Sequence, residues 1–259
     1  MSSENDIDPP NQTTFNGSAV KGNVAGAKVD VYAYSSTGTR GELLYSTITD
    51  AKDSFDASMN YRGTIEIIVS EGKYFDEATG VLVPLGDSKL RLVTKADENT
   101  QMAGVIALTT VTAAYVDAHA SSGLEIAIKA TNERVADASG LKGIDNSKEI
   151  PADLSVESEA ITKAQAKYGA VQAGLSQIVK DSDLSPDQLL ILVQKIAEDF
   201  SDGKTATGIL EIKLNLAPVQ AMIGLNAGIS NFLSSPENVS SHSSMSIGIN
   251  VPNAASQGG

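Results

Sequence analysis

Ala27-Lys-Val-Asp-Val-Tyr-Ala-Tyr34 changes character at every step and sets Val29, Val31 and Ala33 on one face. A period of two marks a strand with one buried side. The same reading extends outward through Glu42–Thr49, Ser54–Met59, Thr64–Val69 and Lys89–Val93. Between these runs lie turn signals: Lys21-Gly-Asn, Ser36-Thr-Gly, Asp50-Ala-Lys-Asp and Gly86-Asp-Ser. About seven short strands at such spacing, with no helical pattern among them, predict a β-sandwich over residues 14–98.

The period then changes. Across the polar stretch Lys95-Ala-Asp-Glu-Asn-Thr-Gln101, alternation gives way to helical spacing from about Met102, which begins a mainly helical domain over 102–251. Leu108, Val111 or Thr112, and Tyr115 define one stripe; Leu124, Ala127, Ile128 and Val135 define another that stops at Gly140. A third helix falls within Asp153–Val179. Before the fourth, Ser185 suits an N-cap, Pro186 the first helical position and Gln188 a capping box. A last helix is predicted at Val219–Leu233. Ile209–Leu216 and Ser244–Val251 alternate like strands, while 1–13 reads as a disordered tether and 252–259 as a disordered tail. The expected fold class is therefore α+β, a β-sandwich followed by a helical bundle.

Composition narrows the function. The net charge is −13, from 32 acidic and 19 basic residues, so nucleic acid and anionic lipid are poor partners. Cysteine is absent, which removes disulfides, thiolate metal sites and cysteine nucleophiles together. No apolar run reaches the ~20 residues of a membrane span. The opening Met1-Ser-Ser-Glu-Asn-Asp-Ile-Asp-Pro-Pro has no signal-peptide character. It reads as the leader left after an export signal is removed, with Met1 in place of the signal and a lipid-bearing Cys.

Gly17-Ser-Ala-Val-Lys-Gly-Asn-Val-Ala-Gly-Ala-Lys-Val-Asp-Val-Tyr32, followed by Thr49-Asp-Ala-Lys-Asp-Ser-Phe55, resembles the carboxypeptidase-regulatory-like (transthyretin-like) β-sandwich. Asp53 stands where that family usually has Gly, and Asp tolerates the left-handed conformation at modest cost. The later runs Ala107–Ala114, Ala130–Ala136, Gly140–Asp145, Tyr168–Ser176 and Glu198–Gly203 resemble a helical region that follows such sandwiches in bacterial secreted proteins and lipoproteins. The resemblance implies export and tandem architecture, and it brings no activity with it.

Catalytic chemistry has few candidates. His119 and His242 are the two histidines, without a second His at metal-ligand spacing, and no Gly-x-Ser-x-Gly or phosphate loop occurs. Glu71, Asp76 and Glu77, and Asp50, Asp53 and Asp56, flank turns, where Asp is common for conformational reasons. Calcium suits such loops best, through Asp50 and Asp53 or Asp199 and Asp202; no catalytic residue and no other cofactor is expected. The small Ala-rich helical stripes allow close helix approach or a groove for an apolar ligand. These readings converge on a non-enzymatic, exported surface protein that binds, adheres or supports. A carrier of a hydrophobic small molecule and an unrecognised enzyme stand as the alternatives.

Overall fold

The computed structural model describes residues 12–157, 161–201, 218–240 and 242–249. The chain is α+β: ten strands in three sheets come first, and helices follow. The first sheet has the order β10-β1-β5, from β1 (Gln12–Val20), β5 (Ser54–Asn60) and β10 (Thr100–Ile106). The second has the order β4-β3-β6-β9, from β3 (Lys28–Tyr34), β4 (Arg40–Ile48), β6 (Gly63–Ser70) and β9 (Leu90–Ala96). A small third sheet joins β2 (Val24–Ala25), β7 (Lys73–Asp76) and β8 (Val81–Pro84).

Alternation explains the inner faces. Phe15 and Ala19 from β1, Phe55, Ala57 and Met59 from β5, and Val29, Val31, Ile65, Ile67 and Val69 from the second sheet share one core. β6 breaks the pattern, because Glu66 and Ile68 on its other face are buried too. The cause is α1 (Ala107–His119), which lies along β9 and covers that face. Val93, Ala113, Val116 and Tyr34 fill the contact.

The turn at Asp50–Asp53 behaves as the sequence suggests. Asp53 takes φ +65°, the left-handed region where the resembled family has Gly. Phe55 lies in register opposite Gly17, and its ring occupies the space a Cβ there would need. The two ends of the quoted motif are thus cross-strand partners.

The 95–101 stretch holds the turn between β9 and β10. β10 pairs parallel with β1, Thr14 opposite Thr100 through Val20 opposite Ile106, so residues 102–106 extend the sheet where helical spacing was expected. The Gly104 N–H donates to Ser147 O at 2.9 Å, and only at Ile106 does the chain turn into α1. There the Thr109 and Thr110 hydroxyls bond the Ile106 backbone. The core cluster of the sheets continues through Leu108, Val111, Leu175 and Val193, so one apolar core spans both halves.

The helices that follow are α2 (Leu124–Ala138), α3 (Lys163–Asp181), α4 (Gln188–Ser201), α5 (Pro218–Leu233) and the single turn α6 (Ser244–Ile247). The last replaces the edge strand expected at Ser244–Val251; Ile209–Leu216, residues 1–11 and residues 250–259 lie outside the described residues, while Gln12 and Thr13, expected in the tether, belong to β1. α4 begins later than its sequence signal. Its lead-in is a tight turn, with Gln188 N to Ser185 O at 2.9 Å and Leu189 N to Pro186 O at 3.1 Å. The side-chain capping box sits instead on α3, where Thr162 Oγ1 accepts from Gln165 N at 3.1 Å and Gln165 Oε1 accepts from Thr162 N at 2.9 Å. α3 packs chiefly on α5, and α4 chiefly on α1.

Candidate functional site

Three assemblies of polar side chains stand out, two closed and one open. The first closed one joins the sheets to α3. Lys21, fully buried, donates to Glu77 Oε2 and to Ser176 Oγ, each at 2.6 Å, and meets the Gln172 carbonyl at 3.5 Å. Ser176 also donates to Glu77 Oε2 at 2.9 Å, and the Gly22 N–H donates to Oε1 at 3.0 Å. Every hydrogen of the ammonium and both carboxylate oxygens are therefore engaged, the condition under which a buried ion pair survives desolvation. Gly22 makes the geometry possible: at φ +58° its missing Cβ leaves room for Phe75 O, which a side chain would overlap. Nearby, Lys180 reaches Ala78 O at 2.6 Å, and the Tyr74 hydroxyl donates to Pro186 O at 2.9 Å.

A related assembly fixes α1 to the second sheet. Glu66 accepts from Arg40 at 2.7 Å and from Arg91 at 2.6 Å, while Arg91 also pairs with Asp117 on α1 at 2.8 Å. The Tyr34 hydroxyl donates to the same Asp117. Burial, and then the Asp117 carboxylate, push that phenol well above its ordinary pKa, so it remains a donor.

The open assembly is a groove of about 730 Å³ beside α2. One wall is the outward stripe of α2, Glu125, Lys129, Asn132, Glu133 and Asp137, which recur at helical spacing. The facing wall is the chain of turns from Lys142 to Lys148, with Ile128 and Ile144 exposing apolar surface between them. Lys95 pairs with Glu125 at 2.6 Å and Lys148 with Glu98 at 2.7 Å. The Asn132 Oδ1 atom is buried without a partner. The size is that of a ligand or peptide site.

The sequence-derived candidates are dispersed. Asp50 and Asp53 share a turn, but Asp50 Oδ1 is occupied by the Lys52 and Ser54 N–H groups at 2.8 and 2.9 Å. Burial, with Asp50 and Asp153 nearby, pushes the Asp53 carboxyl up to about 7, against a Ser18 hydrogen bond that lowers it. Asp199 belongs to α4, and Asp202 lies outside the described residues. Among the described residues no three His, Cys, Asp or Glu side chains gather as a metal ion would require. His119 stacks on Tyr115 and places Nδ1 2.9 Å from its carbonyl; His242 sits in the C-terminal segment. Of the acids Glu71, Asp76 and Glu77, Glu77 enters the first closed assembly, and Asp76 Oδ1 bonds Thr79 N and Oγ1 within its own turn.

Sequence reasoning missed Lys21, Ser176, Arg91 and Glu66, whose partners lie far along the chain. One signal for the groove was present: α2 carries a full polar stripe opposite its apolar one. Among the described residues no helix is long and apolar enough to cross a membrane.

No protein-family model matches the chain, and no curated protein does. Among solved structures the chain is similar to a 9R-lipoxygenase from Cyanothece PCC8801, with 11% identity and a TM-score of 0.24. The match covers 51% of this chain and 26% of that one, so the chain spans about a quarter of the lipoxygenase. At that TM-score the likeness carries no argument.

Proposed function

We propose that this chain is a non-enzymatic binding module exported to the cell surface. In this reading a transthyretin-like sandwich and a helical half act as one rigid scaffold that presents the α2 groove to a partner. One observation carries it. Lys21, Glu77, Glu66 and Arg91 are committed to ion pairs within the strand half that also reach Ser176 on α3 and Asp117 on α1, whereas the polar stripe of α2 faces an open groove. Buried ion pairs fix geometry, and a fixed groove binds with less ordering cost than a mobile one. The sandwich assignment draws support from Asp53 in the left-handed region and from Phe55 over Gly17, the two ends of the motif that suggested it. Export follows from the same resemblance.

The test places a photo-crosslinking residue at Glu133 in the groove and, as a control, at Asp56 on the first sheet. A specific adduct with one envelope or extracellular component is expected from Glu133 alone, and Lys129→Glu/Lys142→Glu should abolish it. Equal adducts from both positions would remove the groove from the proposal. Protease treatment of intact cells should degrade the protein if it is exported. Turnover of an ester, peptide, phosphate or glycan by the purified chain would overturn the non-enzymatic reading.

A further inference from the structure

The helices fall into two groups. α1 packs on both α2 and α4, α3 and α5 form a second close pair, and contacts of α4 with α3 and α5 are sparse among the described residues. A void of about 10 Å³ lies on the seam between the groups. Its walls come from both: Leu108 and Val111 on α1, Val193 and Ile196 on α4, and Leu175 and Leu225 on α3 and α5. Among the described residues a single polar side chain faces it. Ser139, at the end of α2, is 1% exposed, and its hydroxyl has no hydrogen-bond partner.

A buried hydroxyl without a partner is costly, and a structure retains one where something else can engage it. Water is a poor candidate, because it needs two or more polar partners and this void offers one side chain. The lining calls for a hydrocarbon body with one hydrogen-bonding group. The head must be uncharged: among the described residues no ionised side chain lines the void, and the chain's net charge of −13 repels anions. The void in its closed form holds about one water-sized sphere, so entry requires the two helix groups to part. The parting falls where α4 meets α3 and α5 through few contacts among the described residues.

We propose that this seam binds a small neutral amphiphile, its tail between the two helix groups and its head on Ser139. The site is separate from the α2 groove and stands or falls independently of it. Titration of the whole chain with n-hexanol, n-pentane and hexanoate, followed by the methyl resonances of Val193 and Leu225, tests it. Hexanol should saturate those shifts and bind most tightly, with hexanoate at least about tenfold weaker because its charge is buried unpaired. Ser139→Ala should weaken hexanol about fivefold, one hydrogen bond's worth, and leave pentane unchanged. Val193→Ile, which adds a methylene to the void, should weaken both. The proposal is overturned by absence of saturation with any probe, by hexanoate matching hexanol, or by Ser139→Ala affecting hexanol and pentane alike. Should Ser139→Ala not fold, the wild-type ranking of the three probes decides.

Discussion

α3 is held on two sides by opposite means. Toward the sheets, the Gln172 main-chain carbonyl and the Ser176 and Lys180 side chains, on every fourth residue, meet Lys21, Glu77 and Ala78 through charge and hydrogen bonds. Toward α5, Gly174 and Gly228 bring two backbones so close that a Cβ on Gly228 would lie 2.4 Å from Gly174 O. The first contact works because every polar atom of the ion pair has a partner, the second because there is no side chain at all. Buried charge fixes direction and register, while bare backbone maximises dispersion contact. A helix buried from Tyr168 to Val179 therefore needs a polar stripe as well as an apolar one.

Breaking the charged side should have the largest effect. Lys21→Met leaves Glu77 buried and uncompensated, and should cost about 3–5 kcal/mol in urea unfolding. Lys21→Met/Glu77→Leu should recover most of that loss. If the double variant were no better than the single, the pair would not be the fastener described here. On the bare side, Gly228→Val forces α5 away from α3 and should cost about 1–3 kcal/mol. An unchanged unfolding midpoint would show that the helices are not in close contact.

Away from α3, Asp53 sharpens the same contrast, since it is a buried acid with no cation. Its folded pKa of about 7 exceeds the ordinary value of 3.8, so between those values the native state holds a proton that the unfolded chain has released. Its contribution is complete below about pH 4, declines as pH rises toward 7, and is constant above. Asp53→Asn keeps the left-handed turn and removes the titration, and should stabilise the protein at pH 8 by about 1–2 kcal/mol while changing little at pH 4. A wild-type melting temperature insensitive to pH across this window would contradict it. The smallest effect concerns helix starts. Thr162→Ala should cost about 1 kcal/mol through loss of the α3 cap, and Ser185→Ala less. Equal losses in chemical denaturation would restore Ser185 as the stronger cap.

Local periodicity made much of the fold legible. Ala27–Tyr34, Ser54–Met59 and Thr64–Val69 are strands because their period is two, and Leu124–Ala138 matches α2 because apolar residues recur around a polar stripe. Thr100–Ile106 was unreadable for a physical reason. Its strand state comes from pairing with β1, far away in sequence, and an apolar run before a helix looks helical without that partner. Ser244–Val251 alternates, yet Ser244–Ile247 forms a helical turn, opened by reciprocal bonds in which Ser246 Oγ accepts from Ser243 N and Ser243 Oγ accepts from Ser246 N. The first closed assembly was hidden more deeply. Lys21 read as a turn residue and Glu77 as a loop acid, and nothing near either position announces Ser176. Of the groove, only the α2 wall was visible, since its other wall is a series of turns.

The parallel pairing of β1 with β10 also sets a schedule for synthesis. Thr14 leaves the ribosome long before Thr100 exists, so β1 can meet only β5 while the second sheet is assembling. During that interval the edge of β1 that will receive β10 is unprotected, and a nascent chain in this condition is prone to strand exchange with its neighbours. At about 5–20 residues per second the exposure lasts several seconds. The long loop that closes it also places this protein among slow folders. A chaperone that shields apolar strands would have its greatest value in that window, before α1 emerges behind Ile106 and seals the core.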